Sequence, residues 1–449
     1  MKPLFLLIQS LRHLIRKYLT KIKQILDFSE TREKNPPIVV IQKPQNPSLI
    51  PSQSPSFRPR EDNNLASASL IERCLYCKGN DIVKRGLRKK KYESVQLYFC
   101  NQCQKTFTPF KVKGKSFPLG TIFEGLSLYN LGYSLEETCQ RLKERFGLEV
   151  KSSTLNDWVK EFEPLCHYSR LRPYGLKLFS PAQVIQSAHL FHRQVYDFSV
   201  HRGKLALLLQ EYKNNKFDNL REFLEAIQTE CPHQFFQEGE RSSELKVEFD
   251  LHEVLIKEKT NFATRIAGLA LQAVSDNKFR HKALQRFMLC NDSVTVAVEV
   301  PVYMDNMDIE HMQEELRFNI PIKLDKVLTG HIDILQLRNG CVHILDYKPQ
   351  DKDKRRIKPV TQLTLYALML SRLTGLRLYD FKCAWFDENA YYEFFPLHVV
   401  YKLRKQSKKE DPNQLNLGFK EKEDNDVSLQ RLIKRPPLES KSPSAASWT

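Results

Sequence analysis

Four cysteines constrain the fold of this 449-residue chain more than any other sequence feature. Cys74-x-x-Cys77 and Cys100-x-x-Cys103 are two tight pairs separated by 22 residues. Each pair can offer two thiolates from one turn, and four thiolates complete the tetrahedral shell of a structural Zn²⁺ ion. We therefore predict a small zinc unit at residues 72–113, with two chance pairs of buried, reduced cysteines as the alternative. The remaining six cysteines are scattered, which argues against a disulfide framework.

Positive charge is concentrated around these cysteines. The chain has a formal net charge of +17, and residues 1–150 carry 26 basic and 13 acidic side chains, which accounts for +13 of it. A charge that served only solubility would be spread more evenly, so this third of the chain is predicted to face a polyanion. Nucleic acid is the first candidate and an anionic membrane surface is the second. Six basic residues between the cysteine pairs are candidate DNA contacts: Lys84, Arg85, Arg88, Lys89, Lys90 and Lys91.

The two ends of the chain differ in composition from its middle. Residues 1–30 are predicted to form a basic amphipathic helix, because apolar side chains recur at steps of three and four. This helix could pack on its own protein or on a second copy, or it could lie on a membrane surface. Residues 31–71 and 405–449 are polar, so we predict a linker and a disordered tail. Without a run of ~18 apolar residues or a secretory signal, a cytoplasmic, nucleoid-associated location is predicted.

Hydrophobic patterning divides the middle of the chain into helical and strand-rich parts. Residues 117–163 read as three short helices, and residues 174–290 read as mostly helical. Three β-branched runs then read as strands, SVTVAVEVPVY, HIDILQL and CVHILDY, with Arg338-Asn339-Gly340 as the turn between the last two. The helix QLTLYALMLSRLTG and the strands FKCAWF and YYEFFPL complete the pattern. The predicted fold class is therefore multidomain, with α+β and α/β parts.

The stretch CLYCKGNDIVKRGLRKKKYESVQLYFCNQCQKTFTP resembles the zinc ribbons at the front of insertion-sequence transposases. The residues after it are also similar to those proteins: one helix is predicted from Leu135 to Phe146, and a last helix is predicted to be capped by Ser152 or Ser153. This resemblance implies a helix-turn-helix at residues 114–165 whose last helix enters the DNA major groove, although any small helical bundle has the same periodicity. Its candidate DNA contacts are Thr154, Asn156 and Lys160.

Two acids and a lysine carry the most specific chemical pattern. Gly330-His331-Ile332-Asp333 is followed, after twelve residues, by Asp346-Tyr347-Lys348. On neighbouring strands Asp333, Asp346 and Lys348 can converge, because positions 346 and 348 share one side of a strand. Two carboxylates bind Mg²⁺ or Mn²⁺, and an ammonium group can orient the attacking water and stabilise charge on a phosphate. This set suits phosphodiester hydrolysis; a surface Asp346–Lys348 pair on an edge strand is the alternative.

The order of four short motifs resembles the PD-(D/E)xK nuclease superfamily, in its RecB-like branch. The motifs are Glu299-Val-Pro, Gly330-His-Ile-Asp333, Ile-Leu-Asp346-Tyr-Lys348 and Gln362-x-x-x-Tyr366. The resemblance implies a nuclease domain at residues 174–404. Its restriction-endonuclease-like α/β core would occupy residues 291–404, and residues 174–290 would form a helical N-terminal extension.

The same resemblance implies a catalytic metal site. Asp333, Asp346 and the backbone carbonyl of Tyr347 would hold Mg²⁺ (or Mn²⁺), and Lys348 would be the catalytic lysine. Glu299 occupies the position of an acid on an earlier strand, where it would support the site or make an outer metal contact; an ordinary exposed strand acid is the alternative.

Further residues of the site follow from the same family pattern. Gln362 and Tyr366 match the helix that lines the active site. Many relatives also offer a histidine from a preceding helix; His281 is a candidate, but it lies near the end of that helix. The remaining histidines considered have no metal-ligand spacing and are predicted to be structural: His192, His201, His252 and His311.

A short apolar motif stands in the polar tail at residues 414–419. Isolated apolar side chains in a disordered segment indicate docking, because they gain free energy only when a groove receives them. The motif resembles the peptide with which bacterial replication and repair proteins bind the sliding clamp; a chance apolar patch or a contact back onto the nuclease is the alternative. The clamp-binding residues would be Gln414, Leu415, Leu417 and Phe419.

Together these features predict a DNA nuclease with catalytic Mg²⁺ and structural Zn²⁺, linked to a mobile element or to genome maintenance. A non-catalytic DNA-binding or regulatory protein with an inactive nuclease fold is the competing hypothesis. A nuclease that processes RNA is the third. Metal-dependent strand scission separates the first hypothesis from the second, because both predict salt-sensitive DNA binding.

Overall fold

The structure is a computed structural model that describes residues 73–401, except 111, 212–214, 248, 252–253, 275 and 350–356. The predicted amphipathic helix, linker, charged tail and clamp-binding segment lie outside the described residues, as does His252. None of the described helices is both long enough and apolar enough to cross a bilayer.

The first described segment is a small antiparallel sheet. Its strands β1 (Ile82–Lys89), β2 (Ser94–Cys100) and β3 (Thr106–Phe107) lie in the order β1-β2-β3. Tyr98 and Phe107 pack with two buried cysteines on the inner face, whereas β1 is an exposed edge strand. A sheet of this size buries little apolar surface, so a metal crosslink between its turns would contribute much of its stability.

Three helices come next, which confirms the prediction of three short helices. They are α1 (Leu119–Leu131), α2 (Leu135–Phe146) and α3 (Ser152–Phe162). Helix α2 begins at a capping box made with Ser134 and ends before Gly147, whose φ of 65° is left-handed, as the sequence indicates. The predicted cap of α3 by Ser152 or Ser153 is wrong: Ser152 is already the first helical residue, and no side chain caps this end after Lys151.

The rest of the described chain folds around one mixed sheet of nine strands. In chain order its elements are α4 (Arg172–Leu178), β4 (Ile185–His192), β5 (Gln194–His201), α5 (Arg202–Gln210), α6 (Asp218–Glu230), α7 (His233–Glu238), β6 (Glu240–Arg241), β7 (Lys257–Glu258), α8 (Phe262–Ala270), α9 (Arg280–Asn291), β8 (Thr295–Met304), α10 (Asn306–Glu314), β9 (Leu328–Arg338), β10 (Cys341–Tyr347), α11 (Ile357–Thr374), β11 (Phe381–Phe386), β12 (Tyr391–Phe394) and α12 (Leu397–Val400). The strand order is β4-β5-β8-β9-β10-β11-β12-β7, with β6 beside β9. This mixed α/β architecture fits the predicted restriction-endonuclease-like core.

The three β-branched runs of the sequence are the central strands β8, β9 and β10, as predicted. β9 and β10 are antiparallel and are joined at Asn339-Gly340, whose φ angles of 52° and 69° are those of a tight two-residue turn. β10 and β11 are parallel, and α11 lies between them in the chain as the crossover helix. The acids predicted to be catalytic therefore lie in the middle of the sheet.

A hairpin that the sequence analysis missed forms one edge of this sheet. β4 and β5 pair along their full length, and the turn between them is at Arg193, which has a φ of 60°. The prediction of mostly helical structure for residues 174–290 overlooked it, because these two strands carry Gln, Ser and His where the other strands have β-branched runs.

Helices cover both faces of the sheet and create two hydrophobic cores. On one face, α11 buries the apolar stripe that the sequence predicts to be core: Leu363, Leu365, Ala367, Leu368 and Leu370. On the other face, helices α1, α8 and α9 pack over side chains of β8, β9 and β10. The predicted helix-turn-helix region and the large sheet therefore share a core.

Helix α1 joins the two regions through polar contacts as well as apolar ones. The rings of Phe123 and Phe287 meet edge to face, with centroids 5.4 Å apart. Glu124, which is 0% exposed, accepts hydrogen bonds from Arg145 on α2 and Arg286 on α9, the latter at 2.9 Å. A buried carboxylate shared by two guanidinium groups fixes the relative position of three helices.

Candidate active site

The two acids of the central hairpin lie opposite one another. Ile334 pairs with Leu345, so Asp333 on β9 faces Asp346 on β10. Their carboxyl groups approach within hydrogen-bonding distance, and Lys348 Nζ lies 2.8 Å from Asp346 Oδ2. The two-residue turn sets this register, because a shift by one residue would move one of the acids to the other face of the sheet.

Tyr347 stands between Asp346 and Lys348, and its side chain points to the opposite face. Its ring is buried in the core beneath α9, and its hydroxyl lies 2.9 Å from Glu388 Oε1. The alternation of the strand therefore leaves only the backbone of Tyr347 on the side of the two acids. The Tyr347 ring instead packs edge to face against the His281 ring, with centroids 5.1 Å apart.

Strand β8 adds a third carboxyl group. The neighbours Val298 and Val300 pair with β9 residues on either side of Asp333, so Glu299 faces Asp333. Glu299 has a φ of 52°, a left-handed conformation that costs a non-glycine residue free energy and is concentrated at functional sites. The side chain is half-buried and lines the same cavity as Asp333, unlike an ordinary exposed strand acid.

Helix α9 contributes two polar side chains to this cluster. His281 Nδ1 lies 3.4 Å from Asp333 Oδ2. Gln285 Nε2 donates hydrogen bonds to Glu299 Oε1, at 2.7 Å, and to the Asp333 carbonyl, at 3.2 Å. The predicted place of His281 near the end of a helix is wrong: α9 begins at Arg280, so His281 lies in its first turn and reaches Asp333 in the middle of β9.

The cluster concentrates negative charge where water is scarce. Burial and the neighbouring Asp333 carboxylate raise the pKa of Asp346 to about 7 and that of Glu299 to about 8. Burial also opposes ionisation of Asp333, but hydrogen bonds to His281 and Asp346 and the nearby charge of Lys348 outweigh it and lower the pKa of this carboxyl group. Three carboxyl groups this close are not all ionised unless additional positive charge compensates them.

Two residues of α11 form one wall of the cavity at the site. Gln362 and Tyr366 both line a cavity of about 300 Å³ that Asp333 and Glu299 also line. Gln362 Nε2 donates a hydrogen bond of 2.8 Å to the Tyr366 hydroxyl. A Cβ atom at Gly330 would lie only 2.3 Å from Tyr366 Cε1, so the absence of a side chain there permits the ring to approach the strand.

Other residues of this cavity were missed by the sequence analysis. They come from β6, the segment after it and the unpredicted hairpin, which have no motif that marks them as functional. Arg241 Nη2 donates a hydrogen bond of 2.7 Å to the Tyr196 hydroxyl, and the Tyr196 ring stacks on His331 with centroids 3.5 Å apart. The missed lining residues include His192, Gln194, Tyr196, Arg241 and Ser242.

The four paired cysteines lie together, with their thiols within 4.8 Å of one another. Cys74 Sγ is 3.6 Å from Cys103 Sγ, and Cys77 Sγ is 3.5 Å from Cys100 Sγ. Tetrahedral Zn²⁺ with bonds of ~2.3 Å separates its sulfur ligands by roughly 3.7 Å, so this cluster could bind zinc with little adjustment. The two cysteine turns have the same backbone form. The residue four positions after the first cysteine of each pair, Lys78 or Gln104, has a left-handed φ angle, of 63° and 56° respectively.

The basic residues between the cysteine pairs are mostly exposed. Lys90 is half-buried and forms an ion pair of 2.6 Å with Glu93. On α3, Lys160 is exposed, whereas Thr154 and Asn156 are half-buried. The five exposed cations on and after β1 are Lys84, Arg85, Arg88, Lys89 and Lys91.

The comparison with known protein families concerns the part of the chain that folds around the nine-stranded sheet. Residues 205–420 match the PD-(D/E)XK nuclease superfamily. The matched range contains the facing acids, Lys348, His281 and the lining helix α11, and it indicates a nuclease-type domain; it does not include the cysteine sheet or helices α1–α3. No significant match was found among curated proteins or among solved structures.

The donor set of the candidate active site fits a hard divalent cation. Asp333, Asp346 and Glu299 supply carboxylate oxygens, the ligands that Mg²⁺ and Mn²⁺ prefer. The pKa values of Asp346 and Glu299 are raised because burial disfavours their charged forms and because ionising them places like charges close together. A divalent cation between these carboxylates would remove that repulsion. PD-(D/E)XK nucleases use divalent metals, and the residues present here suit that use.

Proposed function

We propose that this protein is a metal-dependent nuclease of the RecB-like branch that hydrolyses phosphodiester bonds in DNA. The observation that carries the proposal is the convergence of Asp333, Asp346 and Lys348, with His281 beside them. Adjacent strands of a central sheet hold these groups, so they are positioned before substrate binds and little reorganisation is needed during the reaction.

Each charged group has a distinct part in this proposal. Asp333 and Asp346 would hold Mg²⁺ or Mn²⁺ with the carbonyl of Tyr347, and His281 is a further donor beside Asp333. When bound, the ion polarises the phosphate and lowers the pKa of a bound water. Lys348 orients the attacking water and supplies positive charge where the phosphate becomes more negative, because its ammonium group is already held against Asp346.

The neutral residues of the cavity would position the substrate. Gln362 and Tyr366 are hydrogen-bonded to one another on α11, so their polar groups present one fixed surface to a phosphate-bearing strand. Glu299 is held by Gln285 and would support the metal site as an outer contact. Its strained backbone is consistent with a conformation retained for function.

DNA binding is assigned to the zinc ribbon and the helix-turn-helix. The exposed cations of β1 lie on an edge strand without competing acids, as phosphate contacts require. Thr154, Asn156 and Lys160 of α3 would contact the major groove. Zn²⁺ held by the four cysteines would keep the ribbon folded and take no part in the chemistry, because no coordination position is left open.

The cellular setting proposed for this activity is replicating bacterial DNA, through a mobile element or genome maintenance. Its support is the resemblance of residues 72–163 to insertion-sequence transposases and of residues 414–419 to clamp-binding peptides. On this view Gln414, Leu415, Leu417 and Phe419 dock on the sliding clamp and bring the nuclease to newly made DNA.

Cleavage of linear, circular and single-stranded DNA by the full-length protein tests this function. With Mg²⁺ or Mn²⁺ the wild type should cut and with chelator it should not. Lys348→Ala should lower the cleavage rate ~10²- to 10⁴-fold while DNA binding is retained, and Lys326→Ala, at an exposed lysine, should cut normally. Unchanged cleavage by Lys348→Ala, or no metal-dependent scission by the wild type, would overturn the proposal.

A further inference from the structure

A second cluster of metal-type ligands lies next to the active-site cavity. His192 is the last residue of β4, and Cys231 and His233 flank Pro232 at the start of α7. His192 Nε2 lies 2.8 Å from His233 Nδ1 and 3.8 Å from Cys231 Sγ. Within the described part of the chain, all three donor atoms lie within 4.8 Å of one another, as do those of the four paired cysteines.

The surrounding contacts hold these donors in place. The Phe236 ring stacks on His192, with centroids 4.0 Å apart and an interplanar angle of 9°. At the hairpin tip, the Arg193 guanidinium donates hydrogen bonds to the Gln237 and Gly239 carbonyls, at 3.0 and 2.6 Å. The hairpin and α7 are therefore fixed to one another on both sides of the cluster, and His192 itself is only 1% exposed.

We propose that His192, Cys231 and His233 form a second zinc site. One thiolate and two imidazoles are borderline-soft donors that select Zn²⁺ over Mg²⁺. Around tetrahedral Zn²⁺, with bonds of ~2.0–2.3 Å, donor atoms lie roughly 3.3–3.7 Å apart. The nitrogen–sulfur separation of 3.8 Å is slightly longer than this and needs to close by ~0.2 Å, and the two histidine nitrogens need to open by ~0.5 Å. Water takes the fourth position of an ion held by three side chains.

This zinc site would position one wall of the nuclease cavity. His192 Nδ1 lies 2.8 Å from His331 Nε2, and His331 is two residues before Asp333 on β9. If His192 Nε2 binds zinc, its Nδ1 carries the proton and donates a hydrogen bond to His331 Nε2. This bond fixes the ring orientation and the tautomer of both histidines. His331 is thus a positioning residue held by the metal through His192.

The sequence analysis predicted a structural role for His192, because no ligand spacing marked it. Its partners lie 39 and 41 residues away, and the hairpin that brings them together was not predicted. A long separation of this kind leaves no local motif, so only the fold identifies the cluster.

The zinc content of the full-length protein, purified without chelator and measured by inductively coupled plasma mass spectrometry, tests the proposal. We expect two zinc ions per chain in the wild type, one in the four-cysteine cluster and one here. Cys231→Ser and His233→Ala should each lose one ion. The matched controls Cys341→Ser, at another half-buried cysteine, and His311→Ala, at another exposed histidine, should keep both.

Circular dichroism shows whether each variant is folded. If Cys231→Ser misfolds, His233→Ala alone tests the site, because His233 is exposed and its replacement leaves the core unchanged. Loss of one zinc ion in folded His233→Ala supports the site. Wild-type zinc content in both variants would overturn it. Metal content is measured without DNA, so this result is independent of whether the protein cleaves.

Discussion

At the scale of single residues, Gly330 shows how the active-site motifs depend on one another. The motif that begins at Gly330 and the motif that ends at Tyr366 lie far apart in the sequence, yet the Tyr366 ring occupies the space that a side chain at position 330 would fill. Ser242 Oγ would also lie 2.9 Å from such a Cβ atom. The glycine is required here by close approach, since its φ is not left-handed.

Gly330→Ala should therefore displace Tyr366 and damage the cavity. We expect a loss of ~1–3 kcal/mol in the free energy of unfolding, measured by urea denaturation, and a clear loss of DNA cleavage. Gly268→Ala is the matched control: its Cβ would meet nothing closer than 3.8 Å, and it lies in α8, where alanine is favoured by ~0.4–1 kcal/mol. Equal effects of the two substitutions would contradict this explanation of Gly330.

Asp346 should make the stability of the metal-free protein depend on pH. Its pKa is about 7 in the folded protein and about 4 in an unfolded chain, so between these values the folded state binds the proton and the unfolded state does not. Stability therefore falls as pH rises from about 4 to about 7, and Glu299 acts in the same direction. Asp346→Asn should make this slope shallower by up to about 1.4 kcal/mol per pH unit.

Urea denaturation at a series of pH values, in buffer free of divalent metal, measures that slope. Asp325→Asn is the control, because Asp325 is exposed and should leave the wild-type slope unchanged. A slope in Asp346→Asn equal to that of the wild type would mean that the carboxyl group is not buried against Asp333.

At the scale of elements, the β9–β10 hairpin was predictable and the elements around it were not. Alternation and the Asn339-Gly340 turn indicate two adjacent strands, and these bring Asp333 and Asp346 together. Helix α11 and its buried stripe were also predictable from periodicity. By contrast, the contact between His281 and Asp333 depends on where α9 begins and how it packs, which no local pattern encodes.

The turn itself can be tested with a pair of substitutions at Asn339. A β-branched residue strongly disfavours the left-handed φ of 52° at this position, so Asn339→Val should destabilise the protein by ~1–3 kcal/mol and reduce cleavage. Asn339→Gly accepts the same φ and should remain within a few tenths of a kcal/mol of the wild type. Thermal unfolding and cleavage assays compare the two; equal stability would show that the turn does not set the register.

At the scale of the whole molecule, the helices α1–α3 and the region around the nine-stranded sheet form a continuous structure. The buried Glu124 contacts both parts, and α1 and α9 share an apolar core that lies beneath β9 and β10. Helix α9 also carries His281, which contacts Asp333 in the cavity. Any DNA held by α3 would therefore have a fixed position relative to the cavity. The sequence suggested separate modules, since composition does not reveal which surfaces of two regions are shared.

Glu124→Ala should destabilise both regions together. Removing the carboxylate leaves Arg145 and Arg286 without their shared partner, which we expect to cost ~3–5 kcal/mol in the free energy of unfolding. Glu161→Ala, which removes an exposed partner of Lys115, should cost less than ~1 kcal/mol. Differential scanning calorimetry should give one transition for residues 117–401 in the wild type; two well-separated transitions would contradict a shared core.

Asp333 and Asp346 are proposed to hold a divalent cation beside Lys348. The most direct measurement is anomalous diffraction from crystals of the protein grown with Mn²⁺, recorded at an energy where manganese scatters anomalously. We predict an anomalous peak between the two carboxyl groups, within about 2.5 Å of an oxygen of each. Well-ordered side chains at both acids with no peak between them, or manganese bound only elsewhere, would contradict the claim.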